Sequence, residues 1–410
     1  MKVQDLEFGD EIEVKWKRMV LKGILVSKDS EFLNLKLKNG YNLSLDISKV
    51  TSLKLIEKKI NIPTERKSIK GKGKRVSILG TGGTIASYVD YATGAVKPLE
   101  TAQDMLYAEP ELQELGDIDA EIVFNIFSED MNSKYWEILA KKVFEKTSNG
   151  EGVVVTHGTD TMSFTSSALS FMIDNPEAPI VLTGSQRSSD RPSSDAHFNL
   201  LGSVKVAQSD LGEVAVVMHS TSSGNSLTIH RGVNVRKMHT SRRDAFKSIN
   251  SGPIGTIDSN LSIKFAEYRK INGKPSKLYE KMNEKVSLIY YYPGMDKEIL
   301  YGICERKDGM IIAGTGLGHV SNTFISDLEG FVKDGKIIGM TSQCLNGSVN
   351  LDVYSTGRRL TGAGVISLGD MLPEVAYVKL SFLLGNFTVE ESKLLLNRNL
   401  KGEIHDRRRE

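Results

Sequence analysis

From Arg75 onward the chain alternates short apolar runs with stretches of helical pattern, and that alternation leaves few folds open. The runs "VSIL", "GVVV", "PIVL" and "EVAVVM" are separated by segments such as "TSSALSFMID" and "AHFNLLGSVKVAQ". Strands and helices in this order predict a doubly wound, mainly parallel α/β sheet, because a helix crosses back over the sheet between parallel neighbours. A second set follows: "VSLIYYY", the helix "KEILYGICER", "MIIAG", the helix "NTFISDLEGFVK" and "KIIGM". The break at "INGKPSK" sets a boundary near residue 275, with a larger α/β domain over 75–275 and a smaller one over 276–410. At about 150 residues per domain, a chain of 410 residues supports two or three such units.

Residues 1–56 read differently. In "EFLNLKLKNGYNLSLDI" the apolar residues Leu33, Leu35 and Leu37 alternate with polar ones, and Tyr41, Leu43, Leu45 and Ile47 do the same. Pairing Leu37 with Tyr41, Leu35 with Leu43 and Leu33 with Leu45 keeps them on one face. It requires the loop Lys38-Asn39-Gly40, with Gly40 left-handed. Together with "DEIEVKW" and "LKGILVS" this predicts a small all-β, barrel-like module of four or five strands. It carries no catalytic pattern and reads as an interaction module. Residues 57–74 are the linker that follows. The net charge is only +2, yet residues 1–75 hold 18 Lys and Arg against 10 Asp and Glu. Eight of those cations lie in "EKKINIPTERKSIKGKGKR", which also holds Pro63, Gly71 and Gly73 and has no apolar periodicity. An exposed basic tether is expected there, with an RNA phosphate as the alternative contact.

Composition excludes several classes. Apolar residues make up 40% and charged residues 25% of the chain, ordinary for a globular protein, and no apolar run approaches the ~20 residues that span a bilayer. The N-terminus "MKVQDLEFGDEIEV" lacks a signal-peptide core, so the expectation is a cytoplasmic protein without a membrane segment. Cys304 and Cys344 lie far apart outside any CxxC pattern and read as buried free thiols; the seven histidines have no metal-ligand spacing, so no metal is expected. No P-loop and no nucleophile elbow occur, and "GTGLGHV" places His319 where a dinucleotide loop needs its third glycine.

The polar residues gather where parallel sheets bind ligands, beyond the carboxyl ends of the strands. "VSIL" runs into Gly80-Thr81-Gly82-Gly83-Thr84, and "GVVV" into Thr156-His157-Gly158-Thr159-Asp160-Thr161. Glycines let backbone N–H groups approach a ligand, and hydroxyls supply nucleophiles or proton donors. Either loop alone reads as a Thr- and Asp-capped turn, but two on successive strands point to a site. His157 inside the second loop reads as a local hydrogen-bonding residue rather than a base.

"TGGTIAS" and "THGTDTM" resemble the two signature segments of the bacterial-type L-asparaginase and glutaminase family, in the same order and 75 residues apart from Thr84 to Thr159. The resemblance runs from Arg75 to the C-terminus. It implies that Thr84 is the nucleophile on a side-chain amide. Thr159 and Asp160 form a second active pair, completed by the lysine that aligns in "HRGVNVRKMHTS", Lys237. A threonine hydroxyl attacks poorly unless a base takes its proton, and a lysine does so once its pKa is depressed. Asp160 could orient Lys237 or hold a substrate ammonium. Gly83 and Gly158 would contribute backbone N–H groups to the substrate site, with the Thr159 hydroxyl as a further oxyanion donor. In "FNIFSEDMNS", Ser128 and Glu129 occupy the places that hold the α-carboxylate and α-amino groups of the substrate. The mobile lid tyrosine corresponds to Tyr91, with Tyr88 as its competitor, in a loop shorter than usual for the family.

A plain asparaginase begins almost at its first strand, whereas about 75 residues precede it here. That extension resembles the D subunits of archaeal glutamyl-tRNA(Gln) amidotransferases, as do "TGSQRSSDRPSSDAHFNL" and "TSQCLNGSVNLDVYSTGRRL". The resemblance implies a glutaminase that supplies ammonia to the E subunit of the amidotransferase, which uses ATP and Mg to convert Glu-tRNA(Gln) to Gln-tRNA(Gln). It implies no cofactor in this chain, and a homodimer within a heterotetramer. The alternatives are a free-standing L-asparaginase with an accessory domain and, more distantly, a non-catalytic amino-acid-binding scaffold.

Overall fold

In the computed structural model, the residues described are 6, 10–28, 31–37, 42–57, 73–83, 87–90, 95–98, 112–187 and 193–405. The N-terminal module is a five-stranded antiparallel sheet. In spatial order its strands are Asn42–Asp46, Phe32–Leu37, Met19–Lys28, Glu11–Trp16 and Val50–Glu57. Leu33 faces Leu45 and Leu35 faces Leu43, the register that the alternation predicts, while the connecting loop and Tyr41 lie outside the described residues. The last two strands in sequence sit at opposite edges, joined by the 3₁₀ turn Ile47–Lys49. The sheet curls over a core of Leu6, Ile12, Val14, Leu25, Leu33, Leu35 and Leu45. Most of the basic linker, residues 58–72, lies outside the described residues.

The main sheet has eight strands. Its parallel half runs Ile118–Ile122, Val76–Gly80, Gly152–Thr156, Ile180–Thr183 and Val214–His219. All five residues of Gly152–Thr156 are buried, because helices cover both faces. Val153 and Val155 point into one core with the helices Ser133–Ser148 and Met162–Met172, whereas Val154 points into the other with the helix Ala196–Ala207. The first core continues without a break into the second α/β unit through Ile311, Leu368, Val375 and Leu380.

Beyond Val214–His219 the sheet turns antiparallel, through Leu227–Arg231, Gly255–Ile257 and Ile263–Phe265. These strands of three to five residues carry no continuous apolar run, so the sequence pattern does not distinguish them from loop. The second unit has a parallel sheet of Val286–Tyr290, Gly309–Gly314, Ile337–Ser342 and Ile366–Ser367, with helices including Lys297–Cys304, Ile325–Lys333 and Pro373–Asn386. Before the chain enters it, Lys277–Leu278 still pairs with Ile173–Asp174 of the first unit. One expectation needs correction: Cys304 is buried, and burial pushes its thiol up to about 11, but Cys344 is exposed because it follows a strand end onto the surface. No described helix is long and apolar enough to cross a membrane.

Candidate active site

Two glycine loops meet at the carboxyl edge of the parallel strands. Thr81 donates both its backbone N–H (3.1 Å) and its hydroxyl (2.9 Å) to the carbonyl of Thr156, so its side chain is spent on joining the loops. Gly82 and Gly83 have φ of +102° and +88°, which favour glycine. A Cβ on Gly83 would stand 2.6 Å from the Gly158 nitrogen, and one on Gly82 would stand 2.3 Å from the Ile126 carbonyl oxygen. The backbone segments are therefore pressed together closely enough that only glycine fits.

The second loop carries the candidate residues Thr159 and Asp160. Thr159 is buried and Asp160 is 68% exposed at its side chain, so the two neighbours face protein and solvent respectively. Lys237 comes from a separate element, the short antiparallel hairpin of Val235–Lys237 with Phe246–Ser248. Its ammonium lies 2.7 Å from the Thr159 hydroxyl and 2.7 Å from the Asp160 carboxylate. A hydroxyl and a carboxylate, 77 or more residues from the lysine in sequence, thus both lie within proton-transfer distance of its ammonium.

His157 braces this loop. Trp136 donates its indole N–H to the Thr165 hydroxyl at 3.0 Å, and Thr165 lies 2.9 Å from His157 Nε2. On its other side His157 Nδ1 lies 2.6 Å from the Gly158 carbonyl, which can only accept, so the assigned tautomer carries its proton on Nδ1. Complete burial lowers the His157 pKa to about 4, leaving a neutral ring. It is a structural histidine that holds the carbonyl next to Thr159.

Ser128 begins the 3₁₀ turn Ser128–Asp130 and is buried, while Glu129 is exposed. The Thr161 hydroxyl donates to the Ser128 carbonyl at 2.7 Å, and a Cβ on Gly158 would lie 2.6 Å from Ser128 Cβ. Ser128 therefore sits against the Thr159 loop, with Glu129 next to it in the chain and exposed. Gly184, after the next strand, has no room for a Cβ: it would lie 3.1 Å from Thr159 Cγ2 and 2.5 Å from the His157 carbonyl oxygen.

The structure thus brings together Gly83, Ser128, Gly158, Thr159, Asp160 and Lys237, while Glu129 follows Ser128 with its side chain exposed. Thr84 and Tyr91 lie outside the described residues, and Tyr88 belongs to the strand Ser87–Asp90. Two supporting groups carried no sequence signal. Buried Asp195 accepts from the backbone N–H groups of Gln186 and Arg187 and from Asn199, whose amide oxygen lies 2.6 Å from His219 Nδ1; this fixes the third strand-end loop. Arg236, beside Lys237, pairs at 3.2 Å with buried Glu374 of the second unit. Among the described residues no group of three or more His, Cys, Asp or Glu side chains is arranged to hold a metal ion.

Comparison with known proteins covers nearly the whole chain. Residues 6–56 match the GatD N-terminal domain, 75–269 the N-terminal asparaginase domain and 285–394 the glutaminase/asparaginase C-terminal domain. The chain is 47% identical to the D subunit of glutamyl-tRNA(Gln) amidotransferase from Thermoplasma volcanium, over 97% of each protein. It is 48% identical to that of Pyrococcus abyssi, over 91% of this chain and 87% of the relative. Among solved structures, the L-asparaginase of Thermococcus kodakarensis is similar at a TM-score of 0.75 and 32% identity, covering 81% of this chain and all of that one. L-asparaginase I of Vibrio cholerae matches at 0.71 and 29%, covering 82% of this chain and all of its own. The asparaginase fold, the GatD-type module in front of it and identity along nearly the full length agree: the chain belongs to the family of glutamyl-tRNA(Gln) amidotransferase D subunits.

Proposed function

We propose that this chain hydrolyses the side-chain amide of glutamine and supplies the ammonia to the amidotransferase's E subunit, which uses ATP and Mg to convert Glu-tRNA(Gln) to Gln-tRNA(Gln). The observation that carries the proposal is the position of Lys237, 2.7 Å from both the Thr159 hydroxyl and the Asp160 carboxylate. Lys237, once it holds a free amine, accepts a hydroxyl proton as the nucleophile attacks the amide carbon, and then returns it to the departing nitrogen. Thr84 is assigned as the nucleophile from its place in "TGGT". The oxyanion of the tetrahedral intermediate is met by backbone N–H groups of the glycine loops. Ammonia leaves, water cleaves the resulting ester, and glutamate is released, so one water is consumed per amide.

Ser128 and Glu129 hold the α-carboxylate and α-amino groups in this reading, and Asp160, exposed at the mouth, shares the ammonium. Tyr91 is assigned as the lid residue from its place in "DYATGAV". The module over residues 6–56 serves assembly with the E subunit, in a heterotetramer built on a dimer of this chain in the cytoplasm. A second reading, a metabolic L-asparaginase, draws on the similarity to the Thermococcus enzyme. The one-methylene difference between the amides is worth only ~1–3 kcal/mol in a pocket.

Steady-state hydrolysis of glutamine and asparagine, by the chain alone and with the E subunit and Glu-tRNA(Gln), separates the two. The expected result is low glutaminase activity alone that rises on assembly. High asparagine hydrolysis indifferent to partner and tRNA would support the second reading.

A further inference from the structure

Lys237 approaches Thr159 from a hairpin whose strands are three residues each. An isolated hairpin is marginal in water, so its position is set by what it packs against. Val235 and Phe246 enter the core shared with Leu372 and Val375 of the second unit. Along a strand, side chains alternate faces, so Arg236 projects opposite to Val235 and Lys237. There its guanidinium meets Glu374 at 3.2 Å, with side-chain exposures of 27% and 5%.

Glu374 lies in the first turn of the helix Pro373–Asn386, where free N–H groups and the helix dipole favour a carboxylate. The same helix packs on the helix Met162–Met172, through Phe171 and Phe382 at 5.8 Å and Phe164 and Tyr377 at 6.2 Å. Met162–Met172 starts immediately after the Thr159-Asp160-Thr161 loop. Both halves of the Thr159–Lys237 contact are therefore referenced to one helix of the second unit: the threonine through helix packing and the lysine through Glu374. We propose that the Arg236–Glu374 ion pair is the positioning device that holds Lys237 on Thr159. The inference rests on the catalytic role assigned to Lys237 above. A lysine on a flexible four-carbon stem needs its backbone fixed from behind, and an ion pair with one partner buried and the other partly exposed adds little to stability that an apolar pair could not supply.

The test uses the full chain assembled with the E subunit and Glu-tRNA(Gln), with kcat and KM for glutamine and the Tm measured for each variant. E374Q and R236M are expected to lower kcat about tenfold with KM changed less than twofold, while R236K, which keeps the charge, stays within about threefold of the parent. The double variant R236M/E374M removes both charges. It is expected to hold its Tm within a few degrees yet keep the tenfold loss of kcat, separating positioning from stability. Parental kcat in E374Q, R236M and the double variant overturns the inference, as does a loss confined to variants with a lowered Tm. K237M is the control: if it also turns over normally, the reading of the site fails rather than the role of the pair.

Discussion

Two lysine–carboxylate pairs in this molecule have nearly the same length and opposite surroundings. Lys237 meets Asp160 at 2.7 Å at the open edge of the main sheet, and Lys379 meets Glu403 at 2.6 Å with both side chains at 0% exposure. Lys379 also donates to the Arg398 carbonyl, and Glu403 also accepts from the backbone N–H groups of Leu400 and Lys401, so that pair is closed into the fold and ties the C-terminal segment to the helix Pro373–Asn386. Burial lowers the Lys379 pKa, and Glu403 opposes that shift. The Lys237 pair instead includes a third member, the Thr159 hydroxyl, and an Asp160 that is 68% exposed. Access and a neighbouring hydroxyl, rather than the ion pair itself, distinguish the lysine proposed to act on substrate from the structural one.

The largest effects should come from the open pair. K237M keeps much of the side-chain stem but removes the proposed base, so glutaminase turnover is expected to fall ~10²-fold or more with little change in Tm. K237R should not rescue it, because a guanidinium does not give up its proton. T84A is expected to abolish amide hydrolysis while the chain stays folded, and T84S to retain some. Near-normal turnover in T84A would remove the assigned nucleophile.

The closed pair should show the reverse profile. E403Q leaves an unpaired buried ammonium, expected to cost about 3–5 kcal/mol, on the order of 10 °C in Tm, while turnover of the folded fraction is kept. Replacing both partners, K379M/E403M, should recover only part of that loss, because the backbone N–H groups of Leu400 and Lys401 and the Arg398 carbonyl lose their side-chain partners. A double variant as unstable as E403Q would show that the pair contributes more than charge compensation.

Acid separates the regions by titration rather than mutation. Burial holds His157 down to about 4 and His230 down to about 3, against 6.5 for the free side chain. The unfolded chain therefore binds more protons below pH 6.5, and the stability these neutral rings contribute is present above it. That stability is lost as pH falls from 6.5 through 4 and 3, by up to a few kcal/mol for each ring. Chemical denaturation between pH 7 and pH 4 measures it, and H230Q should flatten the slope. A flat profile in the parent would mean the rings are not held neutral.

The smallest effect is expected at the second sheet, whose strand-end loops also carry hydroxyls. There Ser342 donates to the Gly316 carbonyl at 2.6 Å and Thr315 to the His319 carbonyl at 3.1 Å, so both are used within the loops. S342A should cost about 1 kcal/mol, read as a small shift in the denaturation midpoint, and leave glutaminase turnover unchanged. A drop in turnover would extend the active region into the second sheet.

Much of this architecture is legible in residue pattern because the pattern is local. Val153, Val154 and Val155 announce a strand covered on both faces, and Leu33, Leu35, Leu43 and Leu45 announce a hairpin in one register; both are found. The strands Gly255–Ile257 and Ile263–Phe265 are not legible, since three residues cannot display a period. Cys344 departs from expectation for a related reason. A thiol's burial depends on whether the chain stays in the sheet or leaves it, and Cys344 lies just past the strand Ile337–Ser342.

The sequence by itself determined the order of the longer strands and helices, the two glycine and threonine loops at strand ends, and the residue types available for amide chemistry. These follow from spacing along the chain, which steric and hydrophobic periodicity translate directly into local structure. Only the tertiary structure decided the distance at which Lys237, already singled out in "HRGVNVRKMHTS", stands from Thr159, 2.7 Å. It also decided which groups His157, read as a local hydrogen-bonding residue, braces, and that Arg236 reaches a carboxylate 138 residues away in Glu374. Those outcomes depend on burial and on which distant elements pack together, and neither is written in any window of the chain short enough to read.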